Sequence, residues 1–244
     1  MPLPTDEQVM LRDMAHSWAQ KDSPVRAFRT MRDEGHELGF DRATLSAVAE
    51  MGWTGTVIPE EYGGSDVGYA SMGVVLEELG RTLVAVPLIG SAVGAATALK
   101  LAGSDTQKTE WLPRIADGSA IGALALDESP RYAPEIISFK AQAGDGGFSL
   151  SGTKTLVHEG LAADFLVVAA RSSGAASDVD GVTLFTVPAD TPGITRARRH
   201  LVDHRGYADI TFVDVKVNAD NVLGSIGQGR SVLDRGLDCT TAMA

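Results

Sequence analysis

The sequence predicts an α+β fold in which an N-terminal helical domain is followed by an antiparallel, β-barrel-like domain. Three observations carry this. Up to about residue 118 the apolar residues recur at helical spacing, from Ser119 the period falls to two, and after Gly224 helical spacing returns. The parts expected are 1–118, helical; 119–224, β; and 225–244, the start of a further helical region.

The helices are justified in order. Thr5 with Gln8 is a capping box, and Leu11, Met14, Ala15 and Trp18 then fall on one face. A second helix is expected from about Asp41 to Met51, stopped by Gly52. After the turn-rich "IPEEYGGSD", Met72, Val75, Leu76 and Leu79 mark a third. An apolar helix follows Pro87 and ends near Gly103. "SDTQ" (104–107) caps the next, which turns Trp111, Leu112 and Ile115 inward and ends at Gly118.

The strands follow from "FSLSGTKTLV", "DFLVVAAR", "VTLFTVP" and "DITFVDVKV", short runs separated by turns such as "GDGG" and "DTPG". "SSGAASDVDG" (172–181) reads as a hairpin loop. Its Asp178 and Asp180 are turn residues, since the other ligands of a calcium loop are absent. Past "GSIGQGR", Val232, Leu233 and Leu237 restore helical spacing. The pattern runs to Ala244 without a cap, so a helical region cut short is expected, leaving the apolar faces between Val67 and Leu101 uncovered.

Composition narrows the function classes. A net charge of −11 argues against nucleic-acid and anionic-membrane partners, which need a basic face. The local exception is "RARRH" (196–200), read as a solvated strand face or a contact for phosphate or a partner. One cysteine, Cys239, excludes internal disulfides and fits a reducing, cytoplasmic setting. The first residues show no apolar signal-peptide core. The run Leu83 to Leu101 has spanning length, but Pro87 and its small residues favour a buried helix.

Several chemistries find no motif: there is no G-x-S-x-G elbow and no Walker loop, and "GSIGQG" lacks a βαβ context. His200 and His204 lie in a strand-and-turn setting rather than on a helix, so no metal site is expected. The stretch "GALALDESPRYAPE" (122–135) places Asp127 and Glu128 side by side at a strand end. These residues alone leave open an acid/base pair, a metal site or water-facing charges.

Taken in chain order, "IPEEYGGSD" (58–66), "LEELGR" (76–81), "SDTQKTEWLPRIADGSAIGALALDE" (104–128), "LSGTKTLVHEGLAADFLVVAAR" (150–171) and "FVDVKVNADNVLG" (212–224) resemble the acyl-CoA dehydrogenase family. The resemblance implies a C-terminal four-helix bundle beyond this chain, an FAD cofactor, and α,β-desaturation of an acyl-CoA thioester. It also implies electrons passed to an electron-transfer flavoprotein and a homo- or hetero-oligomer. In that family the catalytic base comes from the bundle, so no catalytic residue is assigned here. By the same resemblance Leu124, Leu126, Asp127, Leu156, Val157 and His158 fall in the two flavin-cradling segments, and Ala133 falls in a substrate-binding segment.

The matching segments depart from the family where it matters. Asp127 stands in place of a threonine and Ser129 of a proline, while Leu156, Val157 and His158 replace Trp-Ile-Thr. Reduced flavin carries negative charge near this position, and a carboxylate about 4 Å away at an effective dielectric near 20 opposes it by roughly 4 kcal/mol. Glu128 matches a family glutamate and reads as a strand-end carboxylate satisfied by backbone donors. Two readings follow. In one the chain belongs to a catalytic, flavin-bearing dehydrogenase subunit. In the other it belongs to a flavin-deficient partner in a heteromeric enzyme, resembling actinobacterial enzymes for sterol fragments. "PEEYGG" and "EEL" set aside a flavin-dependent monooxygenase on the same fold.

Overall fold

The computed structural model describes residues 4–243. Helix α1 (Asp6–Asp22) opens on the expected capping box, with Thr5 Oγ1 accepting from Gln8 N at 3.2 Å. It lies against α4 (Gly68–Arg81), and its fully buried residues are Ala15 and Ala19. Two alanines let the helices approach closely, so the inward stripe is narrower than the spacing implied and Met14 stays 45% exposed. Between them, α2 (Val25–Asp33), which the sequence reading did not mark, starts after Pro24 and fully buries no residue, though Phe28 and Met31 pack on the cluster that includes Phe40 and Leu45. Helix α3 (Arg42–Glu50) begins at Asp41, whose carboxylate caps Thr44 N, and ends before Gly52 in the left-handed region.

The turn between α3 and α4 needs its glycines. Gly63 has φ +81°, and a Cβ on Gly64 would lie 1.9 Å from the Ile58 carbonyl oxygen. The "YGG" segment is therefore the helix-to-helix turn expected. After Pro87 the chain forms a π-helix, Leu88–Ala95, continuous with α5 (Ala96–Ala102). Its small residues admit close neighbours. A Cβ on Gly94 would lie 3.2 Å from Thr240 Cγ2 in α7 (Gly229–Met243), and one on Gly122 of β1 (Gly122–Ala125) would lie 2.5 Å from Ala95 Cβ.

Helices α1, α6 (Asp105–Ala116) and α7, together with β1, cover the α4–α5 region. The expectation of uncovered faces between Val67 and Leu101 is thereby overturned: the neighbours bury Met72, Val75, Leu79, Leu88, Val93 and Leu99 to 2% exposure or less. Among the described residues no helix is long and apolar enough to cross a membrane.

Among the described residues eight strands form one sheet, in the order β6–β7–β3–β2–β4–β5–β8, with β1 added against β4. Their spans are β2 Lys140–Gly144, β3 Gly147–Val157, β4 Phe165–Arg171, β5 Val182–Pro188, β6 Ile194–Arg198, β7 Ala208–Asn218 and β8 Val222–Leu223. Most pairs are antiparallel as expected, but β1 and β2 both run parallel to β4, each reaching it by a crossover connection rather than a hairpin. Strand β4 is buried on both faces. Phe165, Val167 and Ala169 join the helical core, while Leu166, Val168 and Ala170 join a second core with Leu150, Phe185, Phe212 and Val215, around which the sheet curls. Trp111 of α6 stacks on Phe165 at 4.3 Å, fastening helices to sheet.

The 172–181 loop is organised by Arg171, whose guanidinium donates to the carbonyls of Ile137, Ala176, Asp178 and Asp180. Asp178 accepts from Ala175 N at 2.8 Å, a turn role as read from sequence.

Candidate functional site at the ends of β1 and β3

Two segments meet where β1 and β3 end. Thr155 N donates to the Asp127 carbonyl at 2.7 Å, drawing residues 124–128 and 155–158 together. From β7, Asp209 accepts from Thr155 Oγ1 at 2.7 Å and Leu156 N at 3.2 Å, and pairs with Arg199 at 2.6 Å. Burial pushes the Asp209 carboxyl up, but hydrogen bonds from Arg199, Thr155 and Leu156 outweigh it and hold it below its ordinary value. Leu156 takes φ +51°, a left-handed conformation costing roughly 1–2 kcal/mol outside glycine. That strain is held at the meeting point of the two segments.

The six residues expected to face a flavin divide into two kinds. Leu126 is buried in the helical core and Val157 in the sheet core, so each offers only its peptide group. Leu124, Asp127, Leu156 and His158 are partly exposed. His158 stacks on Tyr207 with ring centroids 4.7 Å apart and planes 11° from parallel. Ala133 sits on the 129–137 loop, whose next residue, Pro134, takes a hydrogen bond from Arg230 of α7 at 3.2 Å.

Sequence reading passed over the group that fixes this edge. Lys154 is wholly buried; its ammonium donates to the Leu126 carbonyl at 2.9 Å and Glu128 Oε1 at 2.8 Å, and lies 4.9 Å from the Phe139 ring. Burial lowers its pKa to about 8 against the opposing pull of Glu128 and Asp127. Glu128 also accepts from Ser138 N and Phe139 N, closing the base of the 129–137 loop, as a strand-end carboxylate satisfied by backbone donors should. Burial would raise the Glu128 carboxyl, but the Lys154 charge and these hydrogen bonds bring it below normal. A signal was present. Leu150 and Lys154 are four apart on one strand, so a core-facing Leu150 places Lys154 inward, where it needs a carboxylate.

Asp127 is the unsettled member. Burial raises its pKa, partly offset by Lys154. Protonated it donates one O–H; ionised it only accepts. As a cradle for a flavin the site does not fit well. An ionised Asp127 faces the electron-rich edge with an acceptor, Leu156 supplies no ring, and Tyr207 already occupies one face of His158.

Next to His158 lies Glu159, in the left-handed region at φ +59° and 5% exposed, with no partner for Oε2. A Cβ on Gly90 of the π-helix would lie 1.7 Å from that oxygen, so any larger residue there would force the carboxylate to move. Burial raises the Glu159 pKa above 4.5, opposed by His158, Arg205 and the Gly90 peptide. Its stabilising contribution is therefore present below pH 4.5 and lost as pH rises through the native value. Glu159→Gln is expected to raise stability at pH 7.5 by on the order of 1 kcal/mol and to flatten its decline above pH 5, read by urea unfolding across pH. An unchanged pH profile would contradict this.

The arginines of "RARRH" are committed to the fold. Arg196 donates to the Leu161 and Ala163 carbonyls, Arg198 to the His36 carbonyl, and Arg199 to Asp209. The strand face is solvated as read, since Arg196 and Arg199 are exposed, and from it these side chains reach back to the fold. Among the described residues no group of three or more His, Cys, Asp or Glu side chains is placed to hold a metal ion.

A helical layer on a curled sheet, with a polar edge where β1 and β3 end, defines a class of two-part α+β proteins, and comparison with known proteins places the chain within it. The family model for the acyl-CoA dehydrogenase N-terminal domain matches residues 5–119, and that for the middle domain matches residues 131–216. The chain is 32% identical to the mitochondrial isovaleryl-CoA dehydrogenase of Pongo abelii, over 96% of this chain and 56% of that protein. Among solved structures, a glutaryl-coenzyme A dehydrogenase in complex with glutaryl-CoA superposes with TM-score 0.88 at 25% identity, covering 98% of this chain and 62% of that one. The butyryl-CoA dehydrogenase of Megasphaera elsdenii gives 0.87 at 26%, covering 98% and 64%. This chain belongs to the acyl-CoA dehydrogenase family. It spans somewhat over half the length of the isovaleryl-CoA dehydrogenases it matches.

Proposed function

We propose that the chain is part of an acyl-CoA dehydrogenase subunit, acting in an oligomer that desaturates an acyl-CoA thioester with FAD and passes the electrons to an electron-transfer flavoprotein. The parts are taken as 1–118, 119–224 and 225–244, with the β1/β3 edge facing the cofactor region and Ala133 the substrate. The supporting observation is the Thr155 N to Asp127 carbonyl bond at 2.7 Å, which joins the two segments the family uses for its flavin. The same edge favours the second reading, a flavin-deficient subunit whose assembly depends on a competent partner. Its donors are missing: Asp127, Leu156 and His158 stand where hydroxyls and an aromatic ring are expected.

The test is to restore them. Asp127→Thr with Leu156→Trp and His158→Thr, in a full-length protein, is expected to raise flavin affinity at least tenfold, which corresponds to about 1.4 kcal/mol. Leu156 already holds the left-handed backbone, so tryptophan there adds little new strain. Flavin affinity unchanged by the triple substitution would mean that this edge does not face a flavin.

A further inference from the structure

The 199–207 loop, between β6 and β7, lies against the turn that precedes α3, and polar contacts rather than apolar ones hold it there. Its tip residues Leu201 and Val202 are exposed. The two segments meet at backbone distance: a Cβ on Gly39 would lie 2.6 Å from Gly206 N, and one on Gly206 would run into the Leu38 carbonyl oxygen. Three polar links close the loop. Arg198 Nη1 donates to the His36 carbonyl at 3.0 Å, Arg198 Nη2 meets His204 Nε2 at 3.1 Å, and Arg205 donates to the Val84 carbonyl at 3.2 Å.

The middle link carries a chemical condition. A guanidinium only donates, so His204 must offer the lone pair of Nε2 and keep its proton on Nδ1. The contact therefore exists only with a neutral imidazole. Arg198 Nε, in the same guanidinium, is buried with no partner among the described residues, so no water relieves that group on this side. His204 itself holds φ +54°, a conformation that tertiary contacts must maintain. Burial and then Arg198, with His200 of the same loop and Arg32 of α2, lower its pKa below 6.5 against the pull of the His36 carbonyl. The other charges of the loop are engaged elsewhere: Asp203 accepts from Arg205 N at 3.3 Å, and Arg199 pairs with Asp209.

We propose that this loop is a pH-operated latch between the helical and β parts, closed while His204 is neutral and released when Nε2 takes a proton from solvent. Protonation replaces the acceptor facing Arg198 Nη2 with a second N–H and sets two cations 3.1 Å apart. The guanidinium and the imidazolium then separate, and residue 204 leaves the left-handed region. The lowered native pKa fixes the sign: closure is fully held above 6.5 and is lost as pH falls through the native value. Release reaches the β1/β3 edge. The Gly206 carbonyl accepts from Leu161 N at 3.3 Å, and Tyr207 stacks on His158, so acidification frees the 158–161 turn and uncovers one face of His158.

Amide exchange on this chain, corrected for the intrinsic effect of pH and referred to β4, tests the latch. Between about pH 8 and pH 5, protection at Leu161 is expected to fall roughly tenfold for each pH unit separating the closed and open midpoints of His204, while β4 is unchanged. The fall should share its midpoint with the ring titration of His204. His204→Gln keeps an acceptor for Arg198 but takes no proton, and is expected to hold protection within about twofold over the same range. Nitrogen NMR of the ring at the upper pH should show Nδ1 protonated and Nε2 bare. A protonated Nε2 there, a Leu161 amide that stays protected at the lower pH, or an equal fall in His204→Gln would each overturn the latch. The ring NMR and the exchange of the unaltered chain decide the question even where His204→Gln does not fold.

Discussion

Lys154→Met is expected to destabilise the protein by about 3–5 kcal/mol, the cost of breaking a buried ion pair by removing one partner. The side chain is fully buried, so no water replaces it, and both the Leu126 carbonyl and Glu128 Oε1 lose a donor. Against a typical total of about 5–15 kcal/mol this is a large share. It should appear as a lower denaturant midpoint with unchanged slope. The combination Glu128→Gln with Lys154→Met separates the terms. Glutamine removes the stranded charge yet keeps an acceptor for Ser138 N and Phe139 N, so the double variant should recover more than half of the loss. A single-variant loss below about 1 kcal/mol, the range of exposed pairs, would show that the pair is solvated.

Phe165→Ala should cost a similar amount, about 3–5 kcal/mol, for a different reason. Phe165 is fully buried at the start of β4, where its ring stacks on Trp111 and lies against the Cα of Gly122. It belongs to the core shared by helices and sheet, so the cavity forms where the two parts join. Because Phe148 on the sheet's other face is only partly buried beside Phe185, Phe148→Ala should cost distinctly less. Urea unfolding followed separately by the helical and sheet signals checks this. Equal costs for the two variants would contradict the view that Phe165 fastens the layers together.

The fold was legible wherever periodicity was strong. Ser104 and Gln107, Asp41 and Gly52, and the continuous "FLVVAA" of β4 each announced the element they form, because capping chemistry and two-sided burial leave local marks. Helix α2 left a faint one: Val25, Phe28 and Met31 fall three apart, but the helix is nine residues long and these side chains are only partly buried. The parallel pairing of β1 depends on the route from α6 into the sheet, which no short window contains. Coverage of α4 and α5 depends on contacts with α1, α6, α7 and β1 from distant parts of the chain.

The candidate site was legible through resemblance at its two segments, but not in its mechanics. Asp127 and Leu156 could be named from sequence, whereas the Thr155–Asp127 bond joins separate strands and the Asp209 anchor comes from β7, more than 50 residues away. Lys154 looked like an ordinary strand lysine until its burial was known. Glu159 gave no signal, since its constraint is the missing Cβ of Gly90 on another element. The arginine cluster was legible as a solvated strand face, but not the carbonyls of the 160–163 turn and Asp209 that Arg196 and Arg199 meet, which lie on other segments.

The most direct test of the central claim is the absorbance spectrum of this chain, purified alone and again after co-expression with a flavin-bearing acyl-CoA dehydrogenase subunit, before and after adding an acyl-CoA. The account predicts no flavin band from the chain alone, and a band in the co-purified assembly that bleaches when the acyl-CoA is added. A stoichiometric flavin band from the chain by itself would contradict it.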